Sequence, residues 1–189
     1  MKRKHQRMRH TRRKKSQSGQ LLATHKQTGP RTLDEFFAMS ERDQDLWLWT
    51  THVVSEMRAD LVSLRQASRG FGLNPRTAIR LGGSALHKDK NGRYKARASD
   101  RLFRPMLVLT RGGPREVGIR DSRVATLVAE HWNAAHRYLE TGDKSVRRKF
   151  RGKSFIDASG NKVRLMTDLE ELSRQGNAGN LSFESIYPK

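Results

Sequence analysis

The stretch Ser63–Leu81 constrains the fold most, because it carries the signals of two short helices joined by a tight turn. Ser63 can cap the first helix, since its hydroxyl can accept a backbone N–H that a helix start leaves unpaired. Gly72 stands where a helix end favours a left-handed residue, which costs glycine little. Pro75 suits the first turn of a second helix, which Gly82 and its neighbouring glycine would end.

The pattern resembles the helix-turn-helix of bacterial DNA-binding proteins, including the resolvase and transposase type. The matching positions are a small residue, a turn glycine, the leucine after it and an apolar pair, here Ser68, Gly72, Leu73, Ala78 and Leu81. Alanine is usual at the first of these positions, and the fourth usually has a branched side chain. In this family the second helix enters the major groove. The resemblance therefore implies base contacts by Arg76, Thr77 and Arg80, whereas the alternative is an ordinary helical corner within a core.

A basic hairpin is predicted directly after these helices. Asn91-Gly92 is a strong hairpin signal, because both positions of that two-residue turn need positive φ. The flanking strands would run from Leu86 to Lys90 and from Arg93 to Arg97. Such a hairpin resembles the wing of winged helix-turn-helix proteins, which can follow phosphates or the minor groove. The expected phosphate contacts are Lys88, Lys90, Arg93, Lys95 and Arg97.

The charge balance indicates a polyanionic partner. The 189 residues carry 39 Lys+Arg against 19 Asp+Glu, a formal net charge of +20, which is far more than solubility requires. Much of this charge lies in residues 1–31, which we expect to form a disordered arm that binds phosphates without reading sequence. The expected contacts of the arm are Lys2, Arg3, Lys4, Arg12, Arg13, Lys14 and Lys15.

The remaining chain predicts an α+β fold in two parts. Residues 32–104 would hold the helix-turn-helix and its wing, with residues 99–104 as a basic connector. Residues 105–189 would form a small mixed α/β module, with a long helix from about Arg123 to Glu140 and a closing strand from Leu181 to Tyr187. The role of this module stays open.

Catalytic and metal-binding patterns are weak. His131 and His136 lie about 140° apart around one helix, so they cannot share a metal from it. Glu130, Asp143 and Asp157 are carboxylates of the kind a Mg²⁺-dependent nuclease uses, but no motif joins them. We therefore expect no enzyme activity and no cofactor. The chain has no cysteine, which excludes disulfides and thiolate metal sites.

These observations predict a DNA-binding protein, either a transcriptional regulator or an accessory factor of a mobile element. The expected partner is double-stranded DNA, and a homodimer is compatible with this because a lone half-site is short. No apolar run approaches the roughly 20 residues that a bilayer requires, so we expect a cytoplasmic, nucleoid-associated protein. RNA or ribosome binding is the first alternative, and a nucleic-acid-processing enzyme is the second.

Overall fold

A computed structural model describes residues 29–178. Residues 1–28 of the predicted arm and the predicted closing strand lie outside this range. Within it, the chain forms seven α-helices, one short 3-10 helix (Gly83–Ala85) and six strands, and the prediction of an α+β fold is confirmed. The helices are α1 (Leu33–Phe37), α2 (Glu41–Ala59), α3 (Leu64–Gly70), α4 (Pro75–Gly82), α5 (Ser122–Thr141), α6 (Ser145–Phe150) and α7 (Leu169–Asn177).

The strands pair as three separate antiparallel hairpins. They are β1 (Leu86–Lys88) with β2 (Tyr94–Ala96), β3 (Arg104–Thr110) with β4 (Gly113–Ile119), and β5 (Ser154–Ile156) with β6 (Lys162–Arg164). The central pair is the longest, and its register aligns Arg104 with Ile119 and Thr110 with Gly113. Two-stranded hairpins are marginal alone, so each must be held by packing against helices.

One hydrophobic core lies among α1 to α4 and the β1–β2 hairpin. The central element is α2, which contacts both α3 and α4. Its buried residues Val53, Val54 and Met57 belong to the same cluster as Ala67 of α3 and Ala78 of α4. Small residues on the two short helices let them approach α2 closely, because no long side chain separates the backbones.

A second core lies among the β3–β4 hairpin, α5, α6, α7 and the β5–β6 hairpin. Val128 and Trp132 of α5 pack here with Val108 of β3, Phe150 of α6 and Leu172 of α7. The indole of Trp132 also donates a hydrogen bond to the Leu107 carbonyl. The long helix α5 thus runs as the sequence predicts, capped by Asp121, whose carboxylate accepts the N–H of Arg123 at 2.8 Å.

A buried ion-pair cluster, the Asp100 joint, ties the two cores together. The side chain of Asp100 is fully buried and binds Arg58 of α2 at 2.6 Å. It also binds Arg104 of β3 through two hydrogen bonds of 2.8 and 3.0 Å. The backbone N–H of Asp100 donates to the Ser122 hydroxyl at the start of α5, at 3.1 Å. The carboxylate of Asp100 therefore connects α2 with β3, and its backbone connects both to the start of α5.

The residues expected to form a basic connector are thus a packed part of the structure. Phe103 is almost fully buried, and its carbonyl accepts the indole N–H of Trp47 at 2.8 Å. A Cβ at Gly118 of β4 would lie 2.5 Å from the Phe103 ring. A larger residue at Gly118 would therefore push this ring away from the first core.

The turn of the β1–β2 hairpin differs from the predicted two-residue turn. Gly92 has a φ of 73°, but Asn91 does not have positive φ, and residues 89–93 form a longer loop. The carboxylate of Asp89 accepts the N–H groups of Asn91 at 2.8 Å and Arg93 at 2.9 Å. Asp side chains compete for nearby backbone donors in this way, which explains why the predicted turn is wrong. Lys90 and Arg93 consequently lie in the loop and not in strands.

Candidate nucleic-acid interface

The turn between α3 and α4 is built from local capping interactions. Ser63 and Gln66 form a reciprocal capping box at the start of α3, with hydrogen bonds of 3.3 and 3.1 Å. Gly72 has a φ of 62°, as its predicted left-handed role requires. The N–H of Leu73 then returns to the Ser68 carbonyl at 2.9 Å, so the chain reverses tightly before α4.

The start and end of α4 are equally well defined. The Asn74 side chain accepts the N–H of Arg76 at 2.9 Å, and Pro75 occupies the first turn. Gly83 follows the helix with a φ of 48°. A Cβ at Gly82 would meet the Leu86 side chain at 3.1 Å. This close approach places the first strand of the β1–β2 hairpin directly beside the end of α4.

The predicted base-contacting residues have different exposures. Arg76 and Arg80 are exposed, whereas Thr77 is half-buried. The two arginines are four residues apart and therefore lie on one face of α4. Ala78 is fully buried on the opposite side. The outward surface of α4 thus presents two guanidinium groups, and Thr77 stands at its border.

The stretch of chain that contains α4 carries basic residues and no acidic ones. No acidic residue occurs from Leu61 to Lys88, and Arg65 and Arg69 of α3 are exposed, as are the two α4 arginines. The resemblance did not single out these α3 arginines, although the lack of acids in this stretch is visible in the sequence. A stretch of net positive charge attracts phosphates.

The hairpin cations have varied surroundings. Lys88 lies over the Tyr94 ring at 5.3 Å, and Lys95 is 3.8 Å from the Asp89 carboxylate. The Arg97 guanidinium donates to the Ser84 carbonyl at 2.7 Å. Lys90 and Arg93 are exposed in the loop. The hydrogen bond from the Arg93 N–H, followed by that from Asn91 and the charges of Lys95 and Arg93, lowers the pKa of Asp89 despite some desolvation.

Ser68 occupies the position where the helix-turn-helix pattern usually has alanine, and it is fully buried. Its hydroxyl has no hydrogen-bond partner among the described residues. Because an unpaired buried polar group is destabilising, we expect Ser68→Ala to raise the free energy of unfolding by about 1 kcal/mol. Urea denaturation would measure this, with exposed Ser159→Ala as the control that changes stability by less than about 0.5 kcal/mol. A loss of stability in Ser68→Ala would mean that the hydroxyl has a favourable partner.

The carboxylates considered for a nuclease have local roles. Asp143 accepts the N–H of Ser145 at 2.9 Å, and Asp157 accepts those of Ser159 and Asn161 at 2.9 and 2.7 Å. Glu130 is exposed on α5. Within residues 29–178, no group of three or more His, Asp or Glu side chains is arranged to hold a metal ion.

The two α5 histidines also differ from each other. His131 is fully buried, and its Nε2 lies 2.5 Å from the Met166 carbonyl. Burial lowers the pKa of His131, although the Met166 hydrogen bond acts in the opposite direction. His136 instead stacks on Trp132 with ring centroids 5.7 Å apart. Both histidines therefore contribute to packing of the second core.

None of the helices between residues 29 and 178 has the length and apolar character needed to span a membrane.

No protein-family model matches the chain. Comparisons with curated proteins and with solved structures likewise found no match. The candidate interface therefore stands on the geometry and charge of its own residues.

Proposed function

We propose that the protein binds double-stranded DNA through α3, α4 and the β1–β2 hairpin, used as a helix-turn-helix with a wing. The observation that carries this proposal is the exposed pair Arg76 and Arg80 on α4, within a stretch of chain that has no acidic residue from Leu61 to Lys88. A helix of this kind fits the major groove, where arginine binds guanine through two parallel hydrogen bonds. Thr77 would contribute a contact at the border of the helix.

The hairpin would contact the phosphates beside the groove. Gly82 brings Leu86 of β1 against the end of α4, so the hairpin cations follow the proposed reading helix directly. Contacts of this type fix the position of a protein on DNA but do not read sequence. Base contacts by α4 together with phosphate contacts by the hairpin would suit a transcriptional regulator or an accessory factor of a mobile element, acting in the cytoplasm on nucleoid DNA.

The first test is a selection from random duplex DNA at physiological salt, with a random RNA pool run in parallel. A recurring DNA motif is the expected result, and its symmetry would show whether a homodimer binds. Duplex binding no tighter than binding to heparin would contradict a sequence-specific role, because heparin offers charge without bases.

Arg76→Ala tests whether α4 reads bases. We expect this substitution to cost about 1–3 kcal/mol on the selected site and to relax preference at one position, while affinity for unrelated duplexes changes little. Competition titrations with selected and scrambled duplexes would measure both quantities. The matched control is Arg42→Ala, because Arg42 is also an exposed helical arginine but lies at the start of α2. Equal losses in the two variants would assign Arg76 a purely electrostatic role.

RNA binding is the second candidate function, favoured by two exposed aromatic side chains. Phe37 of α1 is 50% exposed and Trp49 of α2 is 39% exposed, and unstacked RNA bases stack on such rings. Trp47, in contrast, is buried and supports the first core. Preference for a single-stranded RNA motif over duplex DNA, lost in Trp49→Ala but retained in Arg76→Ala, would favour this candidate.

A further inference from the structure

A second basic surface lies in the C-terminal half, far along the chain from α4. A cleft of about 550 Å³ opens between the turn that joins β3 to β4 and the segment that leads from β6 to α7. We name it the hairpin cleft. Four exposed cations line it, and the buried residues Val163, Leu165 and Met166 form its inner wall. The cations are Arg111, Arg115, Lys162 and Arg164.

Two hydrogen bonds, one from a backbone and one from a side chain, tie the segments that border the hairpin cleft to each other. The N–H of Met166 donates to the Leu109 carbonyl at 3.1 Å, which fixes the segment after β6 to β3. The Gln175 side chain of α7 donates to the Thr110 carbonyl at 3.2 Å. Because both walls are tied to the second core, a ligand would meet a preformed site and would not have to order a loop.

Two of the cations, Lys162 and Arg164, lie on the same side of β6. Lys162 and Arg164 are exposed, whereas Val163 between them is buried. Alternate residues of a strand point to the same side. These two side chains therefore face the same way. The β3–β4 hairpin forms the other wall of the cleft and contributes Arg111 and Arg115.

Two acidic residues near the hairpin cleft, Asp168 and Glu171, accept hydrogen bonds from other groups. Asp168 caps α7 and accepts the N–H groups of Glu170 at 3.1 Å and Glu171 at 3.4 Å. Glu171 binds Arg174 through two hydrogen bonds, and these, followed by the Gln175 hydrogen bond, lower the pKa of its carboxyl, with a smaller contribution from the charge of Arg111. Among the ion pairs formed within residues 29–178, none involves a cation of the cleft.

We propose that the hairpin cleft binds the phosphodiester backbone of a single nucleic-acid strand. Arginine forks bind phosphate oxygens in pairs, and four cations on two facing walls can accompany successive phosphates of one strand. A concave site with cations on both walls encloses one backbone, whereas a double helix is convex and would contact its rim alone. This binding goes beyond the duplex contact of α4 and does not depend on it.

The test compares two full-length variants that each lose four positive charges. The cleft variant carries Arg111→Gln, Arg115→Gln, Lys162→Gln and Arg164→Gln. The control variant carries Arg42→Gln, Arg101→Gln, Arg120→Gln and Arg147→Gln, at exposed positions outside the cleft. The probe is a fluorescein-labelled twelve-residue thymidine strand, and its anisotropy is titrated at several salt concentrations.

We expect the cleft variant to bind the strand at least tenfold more weakly than the control variant. Its salt slope should also fall by up to about 3, since each phosphate contact to a single strand contributes about 0.7. Equal weakening in both variants would overturn the proposal, because net charge would then explain the loss. A double variant with Arg115→Gln and Arg164→Gln should reduce the salt slope by about half as much. This double variant replaces the fourfold variant in the test if the fourfold variant does not fold.

Two further arms separate this site from its alternatives. Inorganic tripolyphosphate offers phosphates without a strand, so equally tight, cleft-dependent binding of it would assign the cleft to free polyphosphates and overturn the strand proposal. Arg76→Ala should bind the thymidine strand as the unmodified protein does. If Arg76→Ala loses no duplex preference while the cleft variant still loses the strand, the α4 proposal fails and the cleft proposal stands.

Discussion

Asp100→Asn should lower the free energy of unfolding by about 3–5 kcal/mol, the cost typical of breaking a buried ion pair by removing one partner. The Asp100 carboxylate receives three hydrogen bonds of 2.6 to 3.0 Å from Arg58 and Arg104. Arg104 is itself buried, so asparagine would leave its positive charge without a counterion. An amide cannot replace two charge-assisted hydrogen bonds to one guanidinium.

Urea denaturation of the wild type and of Asp100→Asn at neutral pH would measure this difference in the free energy of unfolding. Asp45→Asn is the matched control, because Asp45 is an exposed carboxylate on α2 and its loss should change stability by less than about 0.5 kcal/mol. A difference below about 1 kcal/mol for Asp100→Asn would mean that the Asp100 joint adds little to stability.

The stability of the wild type and that of Asp100→Asn should also respond differently to acid. Burial by itself would raise the pKa of Asp100, but hydrogen bonds and charge from Arg104, with help from Leu102 and Arg58, bring it below its ordinary value of 3.8. The stabilisation is therefore complete above that value and is lost as the pH falls through the lower pKa of the folded protein. The stability gap between wild type and Asp100→Asn should narrow in this acidic range.

Removal of residues 2–15 should have the largest effect on DNA binding. This segment contains nine Lys and Arg residues, and each phosphate contact to duplex DNA contributes about 0.9 to the slope of log affinity against log salt. Deletion should therefore flatten the slope by several units and weaken all duplexes alike, at low salt most of all.

Binding isotherms at four or more salt concentrations would measure this effect. The control is the full-length chain with the same nine residues changed to glutamine, which retains the length of the segment and removes its charge. Both proteins should show the same reduced slope. A slope equal to that of the unmodified chain would show that these residues do not contact DNA.

Helix boundaries could be predicted because their signals are local. Ser63, Asn74 and Asp168 each cap a helix within three residues of themselves, and glycine at position 72 has the left-handed φ that the turn requires. Short polar side chains next to a helix start have few alternative roles, so these positions are informative without tertiary context. Asp89 also acts locally, because its carboxylate accepts the N–H groups of Asn91 and Arg93. These hydrogen bonds favour a longer loop over the two-residue turn that Asn91-Gly92 predicts.

The connections between distant segments could not be predicted. Arg58 and Asp100 are 42 residues apart, and a connector with two arginines gives no sign that the carboxylate between Ser99 and Arg101 will be buried. The hairpin cleft is similar, because Arg111 and Arg164 belong to different hairpins that pair only within themselves. Pairing within each hairpin is local, but the sequence contains no periodic signal for how two hairpins face each other. The helix-turn-helix resemblance and the base contacts implied by it stay predictions.

The Asp100 joint has a geometric consequence for nucleic-acid binding. Because Asp100 links α2, β3 and α5 through its side chain and backbone, the element that packs against α4 and the hairpin that borders the cleft are joined at one residue. A nucleic acid that occupied both would have to present its phosphates at a separation set by the protein. Under both proposals, that separation would favour nucleic acids in which a duplex segment adjoins a single strand.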